Sequence, residues 1–193
     1  QWMTAGSGIV HAEVSPDDFL KSGGPLELLQ LWVNLPGRLK MSPPRYLGLQ
    51  AGEIPAVSVD KGAATVSLIS GTWGGHTGPI PSLTGVFMTT IELKAGGKAG
   101  FGSLGGRNVF FYVVRGEVKV NGTSATAWHL AELDLAGDTV EIEAAEDSLI
   151  AFGHPQFTPH LASSHGQLST NSCEEIVAAL RDYNAGLFDQ LSA

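Results

Sequence analysis

Residues 1–13 read Gln1-Trp2-Met3-Thr4-Ala5-Gly6-Ser7-Gly8-Ile9-Val10-His11-Ala12-Glu13. Gly6-Ser7-Gly8 has the make-up of a turn, and the apolar pair Ile9-Val10 follows it. In a β-strand alternate side chains share a face. A strand over Gly8–Glu13 therefore presents His11 and Glu13 side by side. An imidazole beside a carboxylate suits a hard or borderline cation such as Fe, Mn or Zn. A bare His-x-Glu on a strand is also an ordinary solvated polar pair, so the surrounding sequence has to decide between the two. The stretch enters apolar sequence without the loose polar lead usual at a terminus, and it reads as starting inside a domain.

Outward from this stretch, the chain has 193 residues, with 25 glycines and 16% charged residues, the make-up of many short strands joined by tight turns. Apolar or β-branched segments recur at Gly8–Glu13, Leu28–Leu35, Ala64–Ser70, Val86–Leu93 and Val109–Val114. They continue at Glu117–Val120, Thr126–Leu133, Thr139–Glu143 and Ser148–Phe152, with turn residues between them. That spacing predicts an all-β sandwich or barrel. Asn121-Gly122 predicts a type I′ hairpin turn, a better reading of Asn121-Gly122-Thr123 than a glycosylation site. Leu35–Pro55, with Pro36, Pro43, Pro44 and Pro55, reads as a connector, and Gly71–Pro81 as a surface loop. One helix is predicted, over about 173–184. Ser172 and Glu175 form its capping box, Ile176, Val177, Leu180 and Tyr183 its apolar stripe, and Gly186 follows its end. Cys173 falls in its first turn and reads as an ordinary helix-start cysteine, with Glu174 and Glu175 opposing any activation of the thiol.

Several functions are excluded. Eleven Lys and Arg against 19 Asp and Glu give a net charge of −8, which disfavours direct nucleic-acid binding. One cysteine excludes a disulfide framework within the chain and fits a reducing compartment. No apolar run is long enough for a bilayer, and no secretory signal leads the chain. The expected location is the cytoplasm, or the nucleus in a eukaryotic cell. Gly96-Gly97-Lys98 continues with Ala99, so it is no P-loop, and His11 stands where a dinucleotide fingerprint needs its third glycine. His76, His129, His154, His160 and His165 form no paired motif. The last three read as one solvated, proline-bearing loop.

The spacing of the second half resembles the two motifs of the cupins, small β-barrels that hold a metal through histidines and a glutamate. Gly96 and Gly116 fit the end glycines of the first motif, but its ligand positions hold Gly102, Leu104 and Val109. The second motif, laid from Gly137, puts Ser148 at its histidine position. The frame is present without its ligands. Laid on the N-terminus, the second motif puts Gly6, Gly8 and His11 in place, so the first motif would precede residue 1.

Residues 1–13 also resemble the signature of the pirin family. Gln30-Leu31-Trp32-Val33-Asn34-Leu35-Pro36, then Lys40-Met41, Pro44 and Tyr46, follow its pattern. Gly166, Asn171, Glu174-Glu175-Ile176, Asp182-Tyr183 and Gly186 resemble its tail. The resemblance implies a bicupin of double-stranded β-helix (jelly-roll) barrels with an incomplete N-terminal barrel and one C-terminal helix. Residues 1–50 would be the remnant of the metal-binding barrel plus connector, 51–153 the metal-free C-terminal barrel, and 154–193 the tail. It implies a mononuclear iron held by His11, Glu13 and two further histidines upstream, with Glu13 also the base. This chain alone would then carry an open site or no metal. The implied activity is that of a quercetin 2,3-dioxygenase acting on a small aromatic substrate such as a flavonol. The alternatives are a regulator of transcription or metabolism acting through protein partners, and a fragment without metal function. Ser7 departs from the basic residue many members carry, and Gln167-Leu168-Ser169-Thr170 is more polar than the family's usual apolar stretch.

Overall fold

The computed structural model describes residues 1–155, 163–165 and 168–190. The chain divides into two compact units, Gln1–Leu47 with Thr158–Ala193, and Gly48–Phe157. In chain order the first unit begins with β1 (Trp2–Thr4), β2 (Ile9–Val10), α1 (Asp17–Ser22) and β3 (Arg45–Leu47). The second unit holds β4 (Ala56–Val59), β5 (Ala64–Ser70), β6 (Thr72–Trp73), β7 (His76–Thr77), β8 (Phe87–Leu93) and β9 (Lys98–Phe101). It continues with β10 (Phe110–Arg115), β11 (Glu117–Val120), β12 (Thr123–Thr126), β13 (Leu130–Glu132), β14 (Val140–Ala144) and β15 (Ser148–His154). The first unit then resumes with β16 (Ser163–His165), β17 (Leu168–Thr170), α2 (Cys173–Asn184) and β18 (Asp189–Gln190).

The second unit is a double-sheet barrel. Six strands run β13-β10-β15-β8-β5-β4 and four run β12-β11-β14-β9, with antiparallel neighbours throughout. Alternate residues of β5 and β8 are buried, as strands with one core face require. Val66, Leu68, Ile91, Phe111, Ile150 and Phe152 are almost wholly removed from water between the sheets. Asn121 and Gly122 take positive φ, and Val120 pairs with Thr123 across them, the hairpin that Asn-Gly predicts.

In the first unit β1 pairs with β3, β16 with β17, and the tail strand β18 runs parallel to β2. The Lys40 ammonium donates to the Thr170 carbonyl at 2.9 Å, a second tie between the early segment and the tail. Helix α2 spans the predicted residues. The Ser172 hydroxyl accepts from the Glu175 N–H at 3.3 Å, while the Glu175 carboxylate accepts from the Asn171 N–H at 2.8 Å. Of the predicted stripe only Ile176 is buried; Val177, Leu180 and Tyr183 are exposed.

Several local expectations need correction. Leu28–Leu35 forms no strand, because no neighbouring strand pairs with it, and Leu28, Leu31 and Trp32 are exposed. Gly71–Pro81 is more than a loop: it contains the β6–β7 hairpin, and Ile80 is buried. Thr126–Leu133 is two strands, split at Trp128, which takes φ +66°. Part of the expected connector is β3, and α1 went unpredicted although Asp17, Asp18 and Lys21 suit its ends. No helix among the described residues is long and apolar enough to cross a membrane.

Candidate functional sites

The first candidate is His11 with Glu13. Two contacts hold the turn that leads into them. The Ser7 N–H donates to the Ser42 carbonyl at 2.9 Å, and Gly8 lies against the Phe188 ring, where a Cβ would come within 2.6 Å. Pairing of Ile9 with Asp189 and Val10 with Gln190 then fixes β2. The strand ends at Val10, so His11 and Glu13 lie beyond it, both exposed, and strand alternation does not set a common face for them. The Gln30 amide donates to Glu13 Oε2 at 3.4 Å. The two side chains suit iron in kind but not in number. Among the described residues no three His, Cys, Asp or Glu side chains converge as a metal site would require.

The second candidate is the interior of the barrel, where the cupin frame has its ligand positions. Leu104 and Val109 are buried at 3% and 4% exposure and pack in the core, while Gly102 is exposed. Ser148 is not beside them. It starts β15, pairs with Leu93, and directs its hydroxyl to the Glu146 carbonyl at 2.7 Å. The residue alongside Val109 is His154. Phe110 pairs with Gly153, and the Asn108 N–H donates to the Pro155 carbonyl at 3.3 Å, which leaves Val109 opposite His154. His154 therefore belongs to a strand rather than to a loop with His160 and His165. His160 lies outside the described residues, as does the side chain of His165. The signal missed in the sequence was the length of β15, which continues past Phe152.

His154 is locked among aromatic rings. It stacks on Phe87 with centroids 4.9 Å apart and planes within 12°. Phe101 stacks on Phe152 at 4.3 Å, and Trp73 meets Phe101 at 5.2 Å. Burial, and then the nearby Arg107 charge, pull the imidazole down to a pKa of about 4. Its Nδ1 is buried without a hydrogen-bond partner among the described residues. A single neutral imidazole in an aromatic stack packs a core and does not assemble a metal site. The other histidines are elsewhere: His76 is exposed on β7, and His129 Nδ1 lies 3.0 Å from the Thr126 hydroxyl, fastening a turn.

Comparison with known proteins agrees with this architecture. Residues 88–189 match the model of the pirin C-terminal cupin domain, and residues 1–33 match the pirin model. A pirin-like protein of Caulobacter vibrioides is 36% identical over 193 residues, covering 97% of this chain and 67% of its own length. Human pirin is 34% identical over 191 residues, covering 95% of this chain and 62% of its own length. The crystal structure of a quercetin 2,3-dioxygenase from Acinetobacter baumannii superposes with a TM-score of 0.92 at 29% identity, over 97% of this chain and 65% of that one. The chain thus spans about two thirds of the length of these relatives. With a cupin barrel in its second unit and these matches along nearly its whole length, the chain belongs to the pirin family.

Proposed function

We propose that this chain is part of an iron-dependent oxygenase of the quercetin 2,3-dioxygenase type, acting on flavonols or similar aromatic enols. The observation that carries the reading is the similarity, over 97% of the chain, to a solved quercetin 2,3-dioxygenase. His11 and Glu13 are two of four ligands, and two histidines from outside residues 1–193 complete the set. When bound, the metal would supply Lewis-acid and redox chemistry towards substrate and O2. This chain's own contribution is narrower. The Glu13 carboxylate takes the proton of the substrate hydroxyl, and Gln30, which donates to Oε2, steadies it in that role. The barrel of the second unit, which has Gly102, Leu104 and Val109 at the metal-ligand positions of the cupin frame, provides the scaffold.

The test uses the longest natural polypeptide that carries this chain, loaded anaerobically with Fe(II) and then given quercetin and O2. Quercetin loss with matching O2 uptake is expected, together with loss of iron in His11→Ala and a fall in turnover in Glu13→Gln. Absence of turnover in an iron-replete sample overturns the activity, and full iron content in His11→Ala overturns the ligand assignment.

A second reading, a regulator acting through protein contacts, draws on the apolar residues Leu26, Leu28 and Trp32, each at least 66% exposed in the first unit. Partner binding measured in metal-loaded and metal-free protein tests it. A metal-tuned regulator binds differently in the two states, and equal binding removes that version.

A further inference from the structure

At one edge of the barrel's six-stranded sheet lies β13, paired only with β10, and at one edge of the four-stranded sheet lies β12, paired only with β11. The two are consecutive in the chain, joined through Ala127–His129. Trp128 holds the left-handed conformation there, and its N–H donates to the Val113 carbonyl at 2.7 Å. From that pinned turn the strands diverge into different sheets and leave a half-open cleft of ≈ 360 Å³. Its floor is the core itself: Leu104, Val109, Val120 and Val140. Ala125, Ala131, Thr123 and Ser124 also line the cleft.

The charge at the mouth is one-sided. Glu132 and Asp134 line it, and no Lys, Arg or His does so among the described residues. The Glu132 carboxylate makes no ion pair or hydrogen bond among the described residues. Asp134 commits one oxygen to the Ala136 N–H at 3.0 Å and keeps the other. A volume at the lower end of the range for ligand pockets, with an apolar floor and a few polar groups, fits a small molecule. The carboxylates select its charge.

We propose that this seam binds a small organic cation, with an aryl or alkyl body on the Leu104–Val109 floor and an ammonium group at Glu132 and Asp134. The site lies within the second unit and does not depend on the oxygenase reading.

The probes are 2-phenylethylammonium, 2-phenylethanol and phenylacetate, titrated into the 193-residue chain and followed by amide and methyl NMR. The expected result is saturable shifts centred on Ala125, Ala131 and Glu132 with the ammonium, weaker ones with the alcohol, and none with the carboxylate. Ala131→Leu, which fills the cleft, should abolish binding of both the ammonium and the alcohol. Because that variant touches the core, the exposed pair Glu132→Gln with Asp134→Asn is the independent arm. It should weaken the ammonium about fivefold, the scale of solvent-exposed charge pairs, and leave the alcohol unchanged. Absence of a saturable shift with the ammonium, equal affinity for phenylacetate, or unchanged ammonium binding in the charge-neutral pair overturns the proposal.

Discussion

Lowering the pH should destabilise the barrel through His154, and replacing that residue should remove the effect. Its imidazole is half-buried against Phe87, with Arg107 adding positive charge nearby. Its pKa falls from 6.5 to about 4 in the folded state. Above pH 6.5 the residue is neutral folded or unfolded and contributes nothing to the pH dependence. As the pH drops through 6.5, the unfolded chain takes up a proton that the folded barrel refuses. Stability falls until the pH reaches about 4, below which the folded state is protonated too and the loss levels off. The full shift corresponds to roughly 3 kcal/mol. Partial exposure of the ring screens the charge and reduces this to about 1–2 kcal/mol. The assay is urea unfolding at pH 7.5, 6 and 4.5 of the native chain and of His154→Phe, which keeps the aromatic stack without the titrating group. Carboxylates also titrate in this range, so the informative quantity is the difference between the two proteins. It should change by about 1–2 kcal/mol in favour of the variant between the highest and lowest pH. A difference that does not vary with pH would refute the account of His154 as a buried neutral imidazole.

Three further outcomes are expected. Phe152→Ala removes a ring with no solvent exposure that stacks on Phe101, and should cost about 3–5 kcal/mol in denaturant unfolding. The Ser70 hydroxyl lies 2.8 Å from the Ile80 carbonyl and 3.0 Å from the Val86 carbonyl, both of which it can serve as donor. Ser70→Ala should therefore lower barrel stability by about 1–3 kcal/mol, read as a fall in the thermal midpoint. Gly6 sits at φ +55°, where a Cβ would collide with the Ser42 carbonyl. Gly6→Ala should loosen the first unit by more than about 1 kcal/mol, seen as faster amide exchange over residues 1–10 with the barrel unchanged.

What the sequence disclosed, and what it did not, follows from the kind of constraint behind each feature. The Asn121-Gly122 hairpin and helix α2 were readable because turn conformation and helix capping are local. Leu28–Leu35 misled because its apolar pattern suits a strand, while strand formation depends on a neighbour that the pattern does not encode. The break at Trp128 was hidden for the opposite reason. Tryptophan is a poor choice for a positive φ, and bonds to a residue fifteen positions back in sequence, from its N–H to the Val113 carbonyl and from the Val113 N–H to the His129 carbonyl, hold the turn.

The cupin frame shows the same division within one motif. Gly96 at φ +77° and Gly116 at φ +85° occupy turns that strongly favour glycine, and a Cβ at Gly116 would run into Ser148 and the Asp147 carbonyl. Those demands come from backbone geometry and hold whether or not a metal is present, so spacing alone could recognise the barrel. Two of the ligand positions between the glycines face the interior, and there packing decides. Leu104 and Val109 satisfy it as apolar side chains. Counting residues from Gly137 led to Ser148, at the far end of β15 from Val109, because a linear count carries no strand register. The Phe110–Gly153 pair carries it and brings His154 alongside Val109. Stacked on Phe87 with its Nδ1 buried, that imidazole packs against the aromatic core instead of facing a metal, and a cleft of the barrel lies at the seam between β12 and β13.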